Sequence, residues 1–203
     1  MVKFDERAIL DNGAYIYAMR QEIEAIADAV CEKGFDNILF TASGGSLAMM
    51  QPFDYMISVM SGLDVRSQVS AELLGVGNNR LTDRTLVFMA SKSGDTKETV
   101  EAAGYVKEKG AAIISVLGVE GSPLGGLSDY TVVYKDGRPQ EFVLYMLVGR
   151  ILHNKGYFDD YVQFADELKN LPAALVSVGK ASDEKARAYA MKYKDDPYQI
   201  WIG

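Results

Sequence analysis

Two short stretches concentrate the side chains that could do chemistry in this chain: Ala42-Ser43-Gly44-Gly45-Ser46 and Ser91-Lys92-Ser93-Gly94-Asp95-Thr96. Each follows an apolar run and precedes a segment of helical spacing, so each reads as a strand-to-helix turn. At such a turn the helix N-terminus offers unpaired N–H groups and the positive end of its dipole, which suits an anion. Ser91, Ser93 and Thr96 place three hydroxyls around one glycine, the kind of neutral donor set that a phosphoryl group needs. Each hydroxyl also has a plainer use, because Ser and Thr are favoured N-caps and a cap needs no ligand. With Ser46 included, four hydroxyls on two turns are more than capping requires.

A dinucleotide is the rival ligand, since Gly44-Gly45 follows a first strand. The glycine fingerprint fails: with Gly45 as its middle glycine, Ser43 and Ala48 stand where the first and third glycines belong. No Gly-Lys-Ser/Thr follows a glycine at P-loop spacing either. His153, the one histidine, falls near a helix end beside Leu152, Asn154 and Lys155, where its cationic form favours the dipole. It reads as a helix-terminal residue, not a catalyst. No metal site and no cofactor are expected.

Holding two such turns side by side takes strands, and the chain offers five. Ile38 to Thr41, Val65 to Val69, Thr85 to Ala90, Ala112 to Leu117 and Tyr130 to Tyr134 are short apolar runs. Helical spacing fills Leu47 to Met60, Ala71 to Leu74 and Thr96 to Lys109, while GVEGSPLGG reads as a loop. Ahead of them, Ile16, Met19, Ile23, Ile26, Ala27 and Val30 predict one long amphipathic helix from Gly13 to Lys33, stopped by Gly34. Strands in continuous apolar runs, alternating with helices, predict a parallel sheet covered on both faces. The expected fold is a doubly wound, three-layer α/β sandwich with five strands. In such a sheet ligands sit beyond the carboxyl ends of the strands, where both turns fall.

Past Pro139, helices are expected over Glu141 to His153, Phe158 to Lys169 and Pro172 to Tyr193, and a strand over Pro197 to Gly203. That last strand has no partner, so Gly203 is expected to be a boundary inside a longer protein with a second lobe. The 203 residues suit one domain, or one plus the start of another. With 21 basic and 28 acidic residues the net charge of -7 repels a nucleic-acid backbone, so no nucleic acid is expected as a partner. One cysteine, Cys31, allows no internal disulfide or zinc cluster and fits a reducing cytoplasm. The N-terminus lacks the apolar core of a signal peptide, and no apolar run approaches the roughly 18 residues of a spanning helix.

The pairing of A-S-G-G-S with S-K-S-G-D-T, and Ser70-Ala71-Glu72-Leu73 between them, resembles the sugar isomerase (SIS) domain. That family includes the isomerase half of glucosamine-fructose-6-phosphate aminotransferase and the deglycases of fructoselysine 6-phosphate and related glycated amino acids. The resemblance runs from about Ile38 through Leu171. The deglycase branch is closest in look, on A-x-G-G-S, the S-G-x-T-x-E-T-V-E-A-A run around Thr99, and Phe142-Val143-Leu144-Tyr145.

The resemblance implies a SIS-type sheet of flavodoxin-like topology and a substrate phosphate held by Ser46, Ser91, Ser93 and Thr96, helped by backbone N–H groups of Gly45, Lys92 and Gly94. Lys92 stands where the aminotransferase has glutamine, and a solvated lysine is the other reading. Glu72 is implied at the sugar hydroxyls; its alternative is a first-turn glutamate favoured by the helix dipole. The implied activity is that of a phosphosugar isomerase or a fructosamine 6-phosphate deglycase, with its acid and base on a second lobe beyond Gly203. A non-catalytic sugar-phosphate sensor is the alternative. Residues 1–171 would form the N-terminal SIS domain and 172–203 a linker helix and the start of a second, truncated one. A two-fold homodimer is expected from the leading helix and the helices after Pro139.

Overall fold

Strands β1 (Asn37–Ala42), β2 (Asp64–Val69), β3 (Thr85–Ser91), β4 (Ala112–Leu117) and β5 (Tyr130–Val133) form one parallel sheet in the order β2-β1-β3-β4-β5. The computed structural model describes residues 4–134, 140–198 and 200. Alternate residues of each apolar run feed opposite faces. Ile38, Phe40, Leu86, Phe88, Ile114 and Val116 build one core beneath α1 (Glu6–Ala18), α2 (Arg20–Lys33), α3 (Gly45–Met60) and α7 (Glu141–Asn154). Leu39, Val87, Met89, Ile113 and Leu117 build the other beneath α4 (Ser70–Val76), α5 (Lys97–Glu108) and α6 (Pro123–Leu127). Every residue of central β3 is buried, which is why it reads as an unbroken apolar run. Phe40 and Phe88 are paired across β1 and β3, and their rings stack with centroids 4.9 Å apart.

After β5 come α7, α8 (Tyr161–Glu167) and α9 (Leu171–Tyr193), with a 3-10 turn over Leu168–Asn170 where the expected helix was to run on to Lys169. Arg150 of α7 donates to both carboxylate oxygens of Asp28 in α2, at 2.7 and 3.0 Å, and so holds that carboxyl below its usual range. Tyr161 of α8 donates to Glu24 of α2 at 2.8 Å. Among the described residues no helix is long and apolar enough to cross a membrane.

Three expectations need correction. The single leading helix over 13–33 is two helices that meet at Met19 (φ −83°, ψ 2°). The Met19 N–H bonds to Ile16 O at 3.1 Å, a tight turn that ends α1. The break lets α1 pack on α9 while α2 lies along α7. Gly13 is not a helix start: it sits inside α1, where a Cβ would come within 2.2 Å of Pro172 Cγ. The chain between β4 and β5 is not all loop, because Pro123 opens the short α6. Of the strand expected over 197–203, Pro197, Tyr198 and Ile200 are not in a strand, and residues 199 and 201–203 lie outside the described residues.

Candidate active site

The strand order reverses between β1 and β3. From β1 the chain turns outward to β2, then returns to the other side of β1 as β3. Helix α3 therefore leaves β1 on one face and α5 leaves β3 on the other, and a crevice opens at the carboxyl ends of the two strands. Both candidate turns border it.

The first turn is open. Gly44 adopts φ 54° and ψ −130°, Gly45 begins α3, and a Cβ at either would meet nothing within 4 Å. Gly44 has no side chain to cap the helix, and its carbonyl accepts the N–H groups of Leu47 and Ala48, each at 3.2 Å. The N–H groups of Gly45 and Ser46 precede the helix ladder and face outward as donors. Ser46 is half-buried, and its hydroxyl has no protein partner among the described residues.

The second turn is organised from within. Ser91, the last residue of β3 and buried, accepts the Gly94 N–H on its Oγ at 2.9 Å, and that Oγ lies 3.1 Å from Thr96 Oγ1. Thr96 occupies the N-cap position of α5 but makes no side-chain cap hydrogen bond, so capping does not explain its hydroxyl. Ser93 and Lys92 are exposed, and the Ser93 hydroxyl has no protein partner among the described residues. The resemblance implies Ser91 among the hydroxyls that hold the phosphate and Gly94 among the N–H donors that help. In the structure Ser91 is buried with its Oγ on the Gly94 N–H, whereas Ser46 and Thr96 are half-buried and Ser93 is exposed.

Residues 34–154 match the SIS domain family. The chain is a member of that family. It is 28% identical over 188 residues to the fructosamine deglycase FrlB of Bacillus subtilis, an alignment covering 88% of this chain and 56% of the deglycase. It is also 28% identical over 183 residues to the glutamine–fructose-6-phosphate aminotransferase of Thermotoga maritima, covering 84% of this chain and 30% of that enzyme. A solved candidate phosphosugar isomerase from Bacillus subtilis superposes with a TM-score of 0.81 at 26% identity, covering 90% of this chain and 58% of that one. The chain thus spans little more than half, or less, of the relatives it matches.

In this SIS domain, α4 carries Glu72 in its first turn, directly after β2, and packs against α5, the helix that leaves β3. Glu72 is exposed, with no partner among the described residues; a hydroxyl pair, Thr41 and Ser70 at 3.3 Å, pins the start of α4 to β1. His153 does sit in the last turn of α7, its Nδ1 donating to Phe158 O at 2.8 Å, so the structure does not bring it to the crevice. Cys31 is half-buried in α2, and burial pushes its thiol upward in pKa.

The second turn has a brace that sequence reasoning missed. A Cβ on Gly94 (φ 70°) would lie 2.1 Å from Ser122 Oγ, and one on Gly118 would lie 2.4 Å from Lys92 O. Leu124 N–H donates to Gly94 O at 2.9 Å. The one visible signal was Gly118 itself, a glycine placed directly after a buried strand that neighbours β3. Gly118 also borders a cleft of about 720 Å3 that reaches Tyr15 and Glu22 of the leading helices, a volume that suits a small molecule.

Proposed function

We propose that this SIS domain is the phosphosugar-binding lobe of an isomerase or deglycase acting on fructosamine 6-phosphates, sugar phosphates joined to an amine such as an amino acid. One observation carries the reading: Thr96 stands at the N-cap of α5 without capping it, and Ser93 and Ser46, whose hydroxyls have no protein partner among the described residues, stand on the two turns that border one crevice. Hydroxyls and helix N–H groups are neutral donors that can surround a dianion without competing charge. The similarity to FrlB along most of the chain supports the fructosamine class. On this reading Ser46, Ser93 and Thr96, with the N–H groups of Gly45 and Lys92, hold the phosphate. Ser91 and Gly94 hold the turn that presents them, and Glu72 accepts from sugar hydroxyls.

The chemistry of the whole protein is then ring opening and proton movement between C1 and C2 by general acid and base steps. Residues 1–171 form the binding lobe, 172–203 lead to a second lobe that supplies acid and base, and two copies assemble about a two-fold axis in the cytoplasm.

Replacing Ser93 with Asp tests the site. If Ser93 only served the helix end, Asp would do so as well, and sugar-phosphate binding would be untouched. Against a bound dianion the carboxylate adds repulsion of about 4 kcal/mol at roughly 4 Å and an effective dielectric near 20. That is about a thousandfold loss of affinity. Calorimetric titration of glucose 6-phosphate and fructose 6-phosphate into the parent and Ser93→Asp, with melts of both, reads it. Lost binding at an unchanged Tm is expected; parent-like binding in the variant overturns the assignment.

A further inference from the structure

One contact joins the two turns without belonging to the donor set. Ser43 Oγ, just past β1, lies 3.3 Å from Thr99 Oγ1 in the first turn of α5. The contact crosses from the α3 side of the crevice to the α5 side. Pairing between β1 and β3 ends at Thr41 and Met89, short of both turns. Beyond that point the helices diverge onto opposite faces, so neither helix sets the distance between their N-termini. Thr99 is fully buried, and a hydroxyl buried in a core of Ala102, Ala103 and Val106 is costly unless it is bonded. Valine would fill similar space with no such requirement.

We propose that Ser43 and Thr99 are positioning residues, a hydroxyl tether that sets the spacing of the two phosphate-binding turns. The proposal rests on reading those turns as one phosphate site. Neither residue touches the ligand. The tether acts by holding the donors of Ser46 and Ser93 at the separation a phosphate ester requires, so that binding does not have to order them.

Two substitutions at Thr99 separate positioning from packing. Thr99→Val removes the hydroxyl and keeps the methyl; Thr99→Ser keeps the hydroxyl and removes the methyl. Glucose 6-phosphate is titrated into the parent chain, Ser43→Ala, Thr99→Val, Thr99→Ser and the Ser43→Ala/Thr99→Val double variant. Ser43→Ala and Thr99→Val should each weaken binding about tenfold, and the double variant no more than either alone. Thr99→Ser should melt lower yet bind like the parent. Affinity that instead follows Tm across the set, with Thr99→Ser weakened and Thr99→Val not, overturns the tether.

Amide hydrogen exchange without ligand supplies the independent arm. Ser43→Ala should speed exchange at 92–95, and Thr99→Val should speed it at 44–46; acceleration confined to the substituted turn overturns the tether. A parent that binds no sugar phosphate but shows this reciprocal exchange defeats the phosphate reading and leaves the tether standing. A parent that binds, with additive losses in the double variant, defeats the tether alone.

Discussion

The β1–α3 turn and the β3–α5 turn border the same crevice and use the same residue types, yet they are built differently. At Gly44 and Gly45 the backbone stands clear of other atoms, and a Cβ would touch nothing. At Gly94 the backbone is pressed against Ser122, bonded to Ser91 Oγ and Leu124 N–H, and flanked by the Gly118 contact on Lys92. The glycines therefore answer different needs: Gly94 combines positive φ with close approach, Gly44 has positive φ in open space, and Gly45 has neither. One turn is rigid because its surroundings leave it no alternative. The other owes its placement to the helix it begins and to the Ser43 link.

The contrast is sharpest under substitution by alanine. Gly94→Ala meets both the φ of 70° and the Ser122 side chain, and should cost about 3 kcal/mol or more. In a domain of this size that lowers Tm by roughly 6–12 °C, read by thermal melting. A loss under about 2 °C would mean the brace bears no load. Gly44→Ala meets only the backbone restriction at φ 54° and should cost about 1–2 kcal/mol in the same measurement. Gly45→Ala meets neither and should leave Tm within about 2 °C, because alanine at an exposed helix start costs nothing in conformation. If the three losses come out equal, the distinction between a braced and an open turn is wrong.

The strands were legible in the sequence because a sheet buried on both faces leaves unbroken apolar runs, as at Thr85–Ser91. The turns were legible because glycines and hydroxyls cluster right after those runs. What escaped was set by contacts distant along the chain. Ser43 and Thr99 are 56 residues apart, and nothing local marks them as partners. Helical spacing continues from Ile16 through Met19 to Ile23, so the break at Met19 left no trace in the pattern. The role of Gly13 depends on Pro172 lying across it. Helix α6, with sequence PLGGL, is too short and glycine-rich to show any period. The sequence offers Ser91 as one hydroxyl of the donor set, and residue type alone does not reveal that its Oγ accepts the Gly94 N–H.

The seating of α9 has a geometric consequence of its own. Its 23 residues span about 34 Å; Pro172 and Val176 are buried, Phe4 packs against Gly179, and Lys180 pairs with Glu6. From Gly179 to Tyr193 the helix runs on for about 21 Å. A swing of about 10° at that seat would carry Tyr193 through roughly 4 Å while moving no residue of the crevice. The direction of α9 is thus set where it rests on α1, and not by the sheet that holds the site.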